Sequence, residues 1–337
     1  MHVSSRRCGL IGVFVTLLPG CSSPGRHEVV IYVSEDQVFA EPVLKSFESA
    51  TGVAVRAVFD TEEAKSTGVV NRLLAEMGSP QADVYWANEP IRAQLLKEKG
   101  IATRYVSLNA AAIPAAFRDP DGYWTGFSAR ARVLLVNAHS RQPPASVEAY
   151  TDPAFRGRAA IANPLFGTTT AHAAALFAIW GDDRAQSFFD AVKENAVKIT
   201  GSNGDSADLV AAGEADFALV DSDDAFNRQK QGKPVKMVLP DQAEGQVGAM
   251  LVPNAVLLVK GGPHPEEGKR LIDYLLSKEV ERALAYADCA QIPLQAGVEA
   301  PPEVPRLERI KLMPVHYADV AHRMEAIQPY LKAWVGY

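Results

Sequence analysis

Between Val29 and Gly100, short β-branched runs alternate with longer stretches of helical period, an order that few folds accept. Val29 to Val33 reads as a buried strand. Phe39, Val43, Leu44 and Phe47 follow at helical spacing, with Pro42 in the first turns and Gly52 as the stop. Val53 to Val58 is a second strand. Val69, Val70, Leu73, Leu74 and Met77 make another helical stripe, ended by Gly78-Ser79-Pro80. Asp83 to Ala87 is a third strand, and Pro90 opens a helix carrying Ile91, Leu95 and Leu96 that stops at Gly100. This β-α-β-α-β-α order predicts a mostly parallel sheet with helices on both faces.

A second unit begins after Trp124. Arg132 to Asn137 and Ala159 to Asn163 read as strands, Thr168 to Trp180 as an Ala-rich helix, and Asp183 to Lys193 as the next helix. Val197 to Thr200, Ser206 to Ala212 and Phe217 to Val220 continue as strand, helix and strand. Met250 to Lys260 is a long apolar strand interrupted by Pro253, and helices follow at 265–276 and 278–287. A chain of 337 residues is long for one core. Two α/β units predict two lobes around a cleft, with the ligand at the carboxyl ends of the strands.

The first residues read as an address. Arg6 and Arg7 precede a short apolar run, Gly9 to Leu18, which ends in Leu18-Pro19-Gly20-Cys21. About ten apolar residues are too few to span a bilayer, which needs roughly 20. The pattern is that of an export signal over residues 1–20. Cys21 is the expected lipidation site, with 21–27 as a tether; the alternative is a plain secretory signal with an incidental Cys21. Of the three cysteines, Cys8 would be lost, Cys21 acylated, and Cys289 left as a buried small residue, so no disulfide framework is expected. A net charge of −6 argues against nucleic acid, whose phosphates demand clustered Lys and Arg.

Carboxylates collect where the strands end. Ser34-Glu35-Asp36 follows the first strand, Asp60-Thr61-Glu62-Glu63 the second, Asn88-Glu89 the third, and Asp221-Ser222-Asp223-Asp224 the strand at 217–220. Each such residue alone could be a helix cap. Together they predict an anionic, oxygen-rich site that suits a hard metal ion or an organic cation. Phe166-Gly167-Thr168-Thr169-Thr170 points the other way: free N–H groups and hydroxyls at a helix start favour an anion, to which Asn203-Gly204 would add donors. No Gly-x-Ser-x-Gly, His-Glu-x-x-His, Gly-x-Gly-x-x-Gly or phosphate-loop pattern is present. The seven His are scattered, and His172 reads as structural. Acid–base hydrolysis by Asp223 and Asp224 is the enzymatic alternative, with no partner group implied.

Seven segments in order resemble a family: Val30-Ile-Tyr-Val-Ser-Glu-Asp, Ala82-Asp-Val-Tyr-Trp-Ala-Asn-Glu, Tyr123-Trp-Thr-Gly-Phe-Ser-Ala-Arg-Ala-Arg-Val, Asp152-Pro-Ala-Phe-Arg-Gly-Arg, Gly213-Glu-Ala-Asp-Phe-Ala-Leu, His264-Pro-Glu-Glu-Gly-Lys and Gln291-Ile-Pro-Leu. They resemble the solute-binding proteins of ABC importers, specifically the ferric-iron-type group with the two-lobed type II periplasmic fold, over roughly residues 28 to 300. The resemblance implies lobe 1 from 28–129 and 252–300 and lobe 2 from 130–251 and 301–337. It also implies hinges near Ser128 to Ala131 and Leu251 to Asn254, a monomer, and a membrane permease as partner. It places Asp36 where ferric members have a His, and Asn88, beside Glu89, where they have a Glu. Gly167 to Thr170, Asn203 and Arg130 stand at the family's anion-binding and cleft positions. Asp223-Asp224 replaces a pair of adjacent Tyr ligands, which excludes phenolate–iron bonding there. Ser34, Thr61, Trp124 and Asp221 complete the expected ligand-binding set, and Asp36, Glu89, Asp223 and Asp224 are the expected metal ligands. The implied cargo is ferric iron with a companion anion; a small organic cation or a phosphorylated or phosphonate solute is the alternative.

Overall fold

The computed structural model describes residues 27–60 and 68–336. The expected export signal, Cys21 and Thr61 lie outside the described residues. The first unit follows the alternation: β1 (Glu28–Val33), α1 (Gln37–Thr51), β2 (Ala54–Phe59), α2 (Gly68–Ala75), β3 (Val84–Ala87) and α3 (Pro90–Glu98). β1 pairs in parallel with both β2 and β3. α1 buries Ala40, Val43, Leu44 and Phe47, and each large apolar side chain so buried stabilises by about 1.5–3 kcal/mol. It stops at Gly52, which takes a left-handed φ of 71° while its N–H bonds to the Glu48 carbonyl.

The remaining elements are β4 (Ala102–Thr103), β5 (Trp124–Asn137), β6 (Ala159–Ala162), α4 (Gly167–Trp180), α5 (Asp182–Glu194), β7 (Lys198–Thr200), α6 (Asn203–Ala211), β8 (Phe217–Asp221), α7 (Ser222–Lys230), β9 (Val235–Val238), β10 (Leu251–Val259), α8 (Pro265–Leu275), α9 (Lys278–Tyr286), α10 (Tyr317–Ala326) and α11 (Gln328–Val335). The strand order is β2-β1-β3-β10-β5-β8-β6-β7, with β4 also on β10 and β9 also on β5. Both ends of this array are parallel, as expected. Its centre is antiparallel, because the chain goes out along β5 and returns along β10.

β5 is one continuous strand of 14 residues where the sequence suggests one only from Arg132. Its first part, Trp124 to Ala131, pairs with β10, and its second part, Arg132 to Val136, pairs with β8. Pro253 does not interrupt β10. It is accommodated by a register shift between Pro253 and Asn254, since proline has no N–H to give the ladder. A buried polar knot holds this crossing. Asn254 accepts from Trp86 Nε1 at 3.0 Å and donates to the Ser128 carbonyl at 2.9 Å and to Gln291 at 2.8 Å. Glu281, fully buried, accepts from the backbone N–H groups of Ser128, Leu294 and Gln295. Ser128 itself has a left-handed φ of 39°.

The C-terminal helices were not foreseen. α11 sets Trp334 against Phe189 of α5, ring centres 5.6 Å apart. α10 packs on both α4 and α3, and its Tyr317 donates to the Leu251 carbonyl at 2.9 Å. Cys289 is free and buried. No described helix is long and apolar enough to cross a membrane.

Candidate ligand site

Three helices begin around the end of β8. β8 is apolar and buried up to Asp221, which stands at the N-terminal boundary of α7 without a side-chain bond to it, so Asp223 and Asp224 fall in the first turn. Acidic residues belong at a helix N-terminus on electrostatic grounds alone. Here they do more than cap, because side-chain oxygens of Asp221, Asp223 and Asp224 come within 4.8 Å of one another. α4 begins beside them with Gly167 to Thr170, and α6 begins with Asn203.

β5 supplies the opposing charge. Arg130 and Arg132 are two residues apart and share one face of the strand. Arg132 is 0% exposed. Its Nη1 donates to Asp221 at 2.7 Å, to Thr168 Oγ1 at 3.0 Å and to Asn203 Oδ1 at 3.2 Å, and its Nη2 donates to Thr169 Oγ1 at 3.2 Å and the Leu219 carbonyl at 3.3 Å. The second Asp221 oxygen accepts from Thr168 Oγ1 at 2.9 Å and lies 3.5 Å from Arg130 Nη1. Arg130 Nη2 donates to the Asn88 carbonyl at 2.7 Å, so one guanidinium links the end of β3 to the end of β8.

Around Arg130 the acids outnumber the bases. Asp221, Asp223, Glu35 and Asp36 all act on its charge. Glu35 is 6% exposed, and burial pushes its carboxyl up to about 7 although Arg130 opposes this. Burial, with repulsion from Asp221, moves Asp223 up to about 6. Burial, with repulsion from Asp223 and Asp221, moves Asp224 up to about 7. Burial also opposes ionisation of Asp221, but Arg132 and Arg130 together hold its carboxyl below the usual range. One acid is thus neutralised and the others are crowded.

Several expected ligands have other duties. Glu89 caps α3, accepting from the N–H groups of Ile91 at 2.6 Å and Arg92 at 3.0 Å, and it does not join the acidic cluster. Ser34 is buried, donating to Asp60 at 2.8 Å with the Tyr85 hydroxyl 2.9 Å away. The Trp124 indole is also buried; it donates to Gln94 at 3.0 Å and meets the ring of Tyr317 edge-on. An indole of that size gains most from packing in the core. Asn88 contributes its carbonyl to Arg130. Asp36 stands at the start of α1, part-exposed, and is not one of the three clustered acids. Gly167 is exposed, Thr168 and Thr169 hold Arg132, and Thr170 Oγ1 is buried without a hydrogen-bond partner. Both His172 nitrogens are likewise buried without a partner, and burial, aided by Arg132, pushes this imidazole down to about 3.

Sequence reasoning missed Arg132 and Glu35. Arg132 carries a signal, an arginine two places from another at the head of an apolar strand; Glu35 was overshadowed by its neighbour Asp36.

Known proteins share the family and the fold of this chain. The family model for bacterial extracellular solute-binding proteins matches residues 82–322. A putative 2-aminoethylphosphonate-binding periplasmic protein of Salmonella typhimurium is 25% identical, covering 97% of this chain and 93% of its own length. The major ferric iron-binding protein of Neisseria meningitidis serogroup A is 25% identical, covering 82% of this chain and 84% of its own. Iron-bound HitA from Pseudomonas aeruginosa superposes with a TM-score of 0.79 at 21% identity, over 92% of this chain and 99% of that one, and so shares the α/β periplasmic-binding-protein fold.

Proposed function

Because the chain belongs to the bacterial extracellular solute-binding protein family, we propose that it captures a positively charged solute between two lobes and releases it to the permease of an ABC importer. The observation that carries the sign of the charge is the imbalance at β8. Asp221, Asp223, Asp224, Glu35 and Asp36 gather around three guanidinium groups: Arg130, Arg132 and Arg228, the last 3.9 Å from Asp224. Carboxylates held together at raised pKa values gain most from a hard cation, and oxygen donors without thiolate or imidazole suit ferric iron or a similar ion. Asp223 and Asp224 are the intended ligands, with Glu35 and Asp36 approaching from the end of β1. A zwitterion such as 2-aminoethylphosphonate would satisfy the acids through its amine and would also need an open anion cradle.

The proposal divides the chain where β5 and β10 cross, giving lobe 1 from 28–129 and 252–300 and lobe 2 from 130–251 and 301–337. Closure about Ser128 to Ala131 and Leu251 to Asn254 would bring the end of β1 toward α7. It includes anchoring through lipid on Cys21.

A thermal-shift panel tests it, with ferric nitrilotriacetate, putrescine, 2-aminoethylphosphonate and fructose 6-phosphate. A cation should raise the melting temperature of wild-type protein, and Asp223→Asn/Asp224→Asn should abolish the rise. A rise with the sugar phosphate alone, unchanged in the double variant, would overturn the reading.

A further inference from the structure

Asp221 is bound as though it were a ligand. Both its oxygens are engaged: one by Arg132 at 2.7 Å, the other by Thr168 at 2.9 Å and Arg130 at 3.5 Å. Asn203 Nδ2 donates to the same Thr168 hydroxyl at 3.1 Å. Two guanidinium groups and the Thr168 hydroxyl, held in place by Thr169 and Asn203, make an oxyanion receptor by donor chemistry. Arg132 is wholly buried, so the receptor's charge cannot be screened by water.

We propose that Asp221 is a resident counter-anion that fills this cradle, and that its carboxylate, and not an added anion, is the counter-charge held between Arg132 and Arg130. A carboxylate whose two oxygens already serve Arg132, Thr168 and Arg130 is the weakest ligand of the three acids, so the cargo is held mainly by Asp223 and Asp224 without a companion anion in the cradle. Solutes that bring a phosphate or phosphonate group to this position are rejected, because the group would meet Asp221. The statement about cargo rests on the cationic reading above; the statement that a cradle exists does not.

The two parts can be tested separately. Removal of the carboxylate in Asp221→Ala should leave the buried Arg132 guanidinium without its carboxylate partner and open the cradle. In chloride-only buffer this variant should melt lower than wild type, and inorganic phosphate should restore it and bind once per chain by calorimetry. Its phosphate affinity should exceed that of wild type by on the order of tenfold or more, the scale of a charge-assisted bidentate contact. If Asp221→Ala does not fold, Asp221→Asn keeps the shape without the charge and should show the same phosphate response, in refolding yield if not in melting. The cradle is refuted if neither variant responds to phosphate, or if wild type responds equally. In the second arm, wild-type protein is titrated with ferric nitrilotriacetate with and without phosphate. Equal affinity supports anion-free capture, and a requirement for phosphate overturns it. Failure of both ferric nitrilotriacetate and putrescine, titrated in the same way, to bind at all defeats the cationic reading while leaving the phosphate result on the variants intact.

Discussion

Arg132→Met removes the guanidinium that holds Asp221 in a buried ion pair. The substitution keeps an unbranched stem and removes a guanidinium that is 0% exposed and makes five hydrogen bonds. It strands the Asp221 carboxylate, whose remaining partners are Thr168 at 2.9 Å and Arg130 at 3.5 Å. Removing one partner of a buried pair costs about 3–5 kcal/mol, and the surviving partners place this case near about 3 kcal/mol. With an unfolding entropy of about 2.1 cal/mol/K per residue over roughly 310 residues, that is a fall of about 5 °C in melting temperature. Urea unfolding followed by tryptophan fluorescence measures it. The double variant Arg132→Met/Asp221→Asn no longer buries a stranded charge and should recover at least about half of the loss. A single-variant loss under about 1 kcal/mol, with no recovery in the double variant, would refute the reasoning.

The pH dependence has a definite sign. Glu35, Asp223 and Asp224 have folded pKa values raised to about 7, 6 and 7, above those of the unfolded chain. The folded state therefore holds more protons in this range, and ligand-free protein should melt higher as pH falls from 8 to 5. Cation affinity, by calorimetry, should weaken over the same interval as protons compete for the acids. Ser128→Gly relieves a left-handed φ of 39° and removes a buried hydroxyl with no partner, and should stabilise by about 1 kcal/mol in urea unfolding. A loss of similar size would instead mean that the serine holds the crossing. Cys21→Ala should move the protein from the membrane to the soluble fraction in cell fractionation.

The alternating units were legible because each strand is a short apolar run and each helix an apolar stripe with a stop, as at Gly52. The middle of the sheet was not. β5 reads as apolar only from Arg132, because Gly126, Ser128 and Arg130 break the pattern in its first half, and its pairing with β10 is a long-range fact. Pro253 argued for an interruption that a bulge absorbs. At the site, the acids after β8 were legible as a group. Local sequence could not tell a clustered acid from a cap, so Glu89, which caps α3, was grouped with acids that it does not join in the structure. Nor could it reveal that Asp221 is spent on Arg132, since that pair is 89 residues apart in the chain.

Native mass spectrometry with elemental analysis, on protein exported and purified without added ligand, tests the central claim most directly. The account predicts one positively charged solute per wild-type chain, a metal ion or an amine, absent from Asp223→Asn/Asp224→Asn. A co-purified phosphorylated or phosphonate solute that the double variant retains would contradict it.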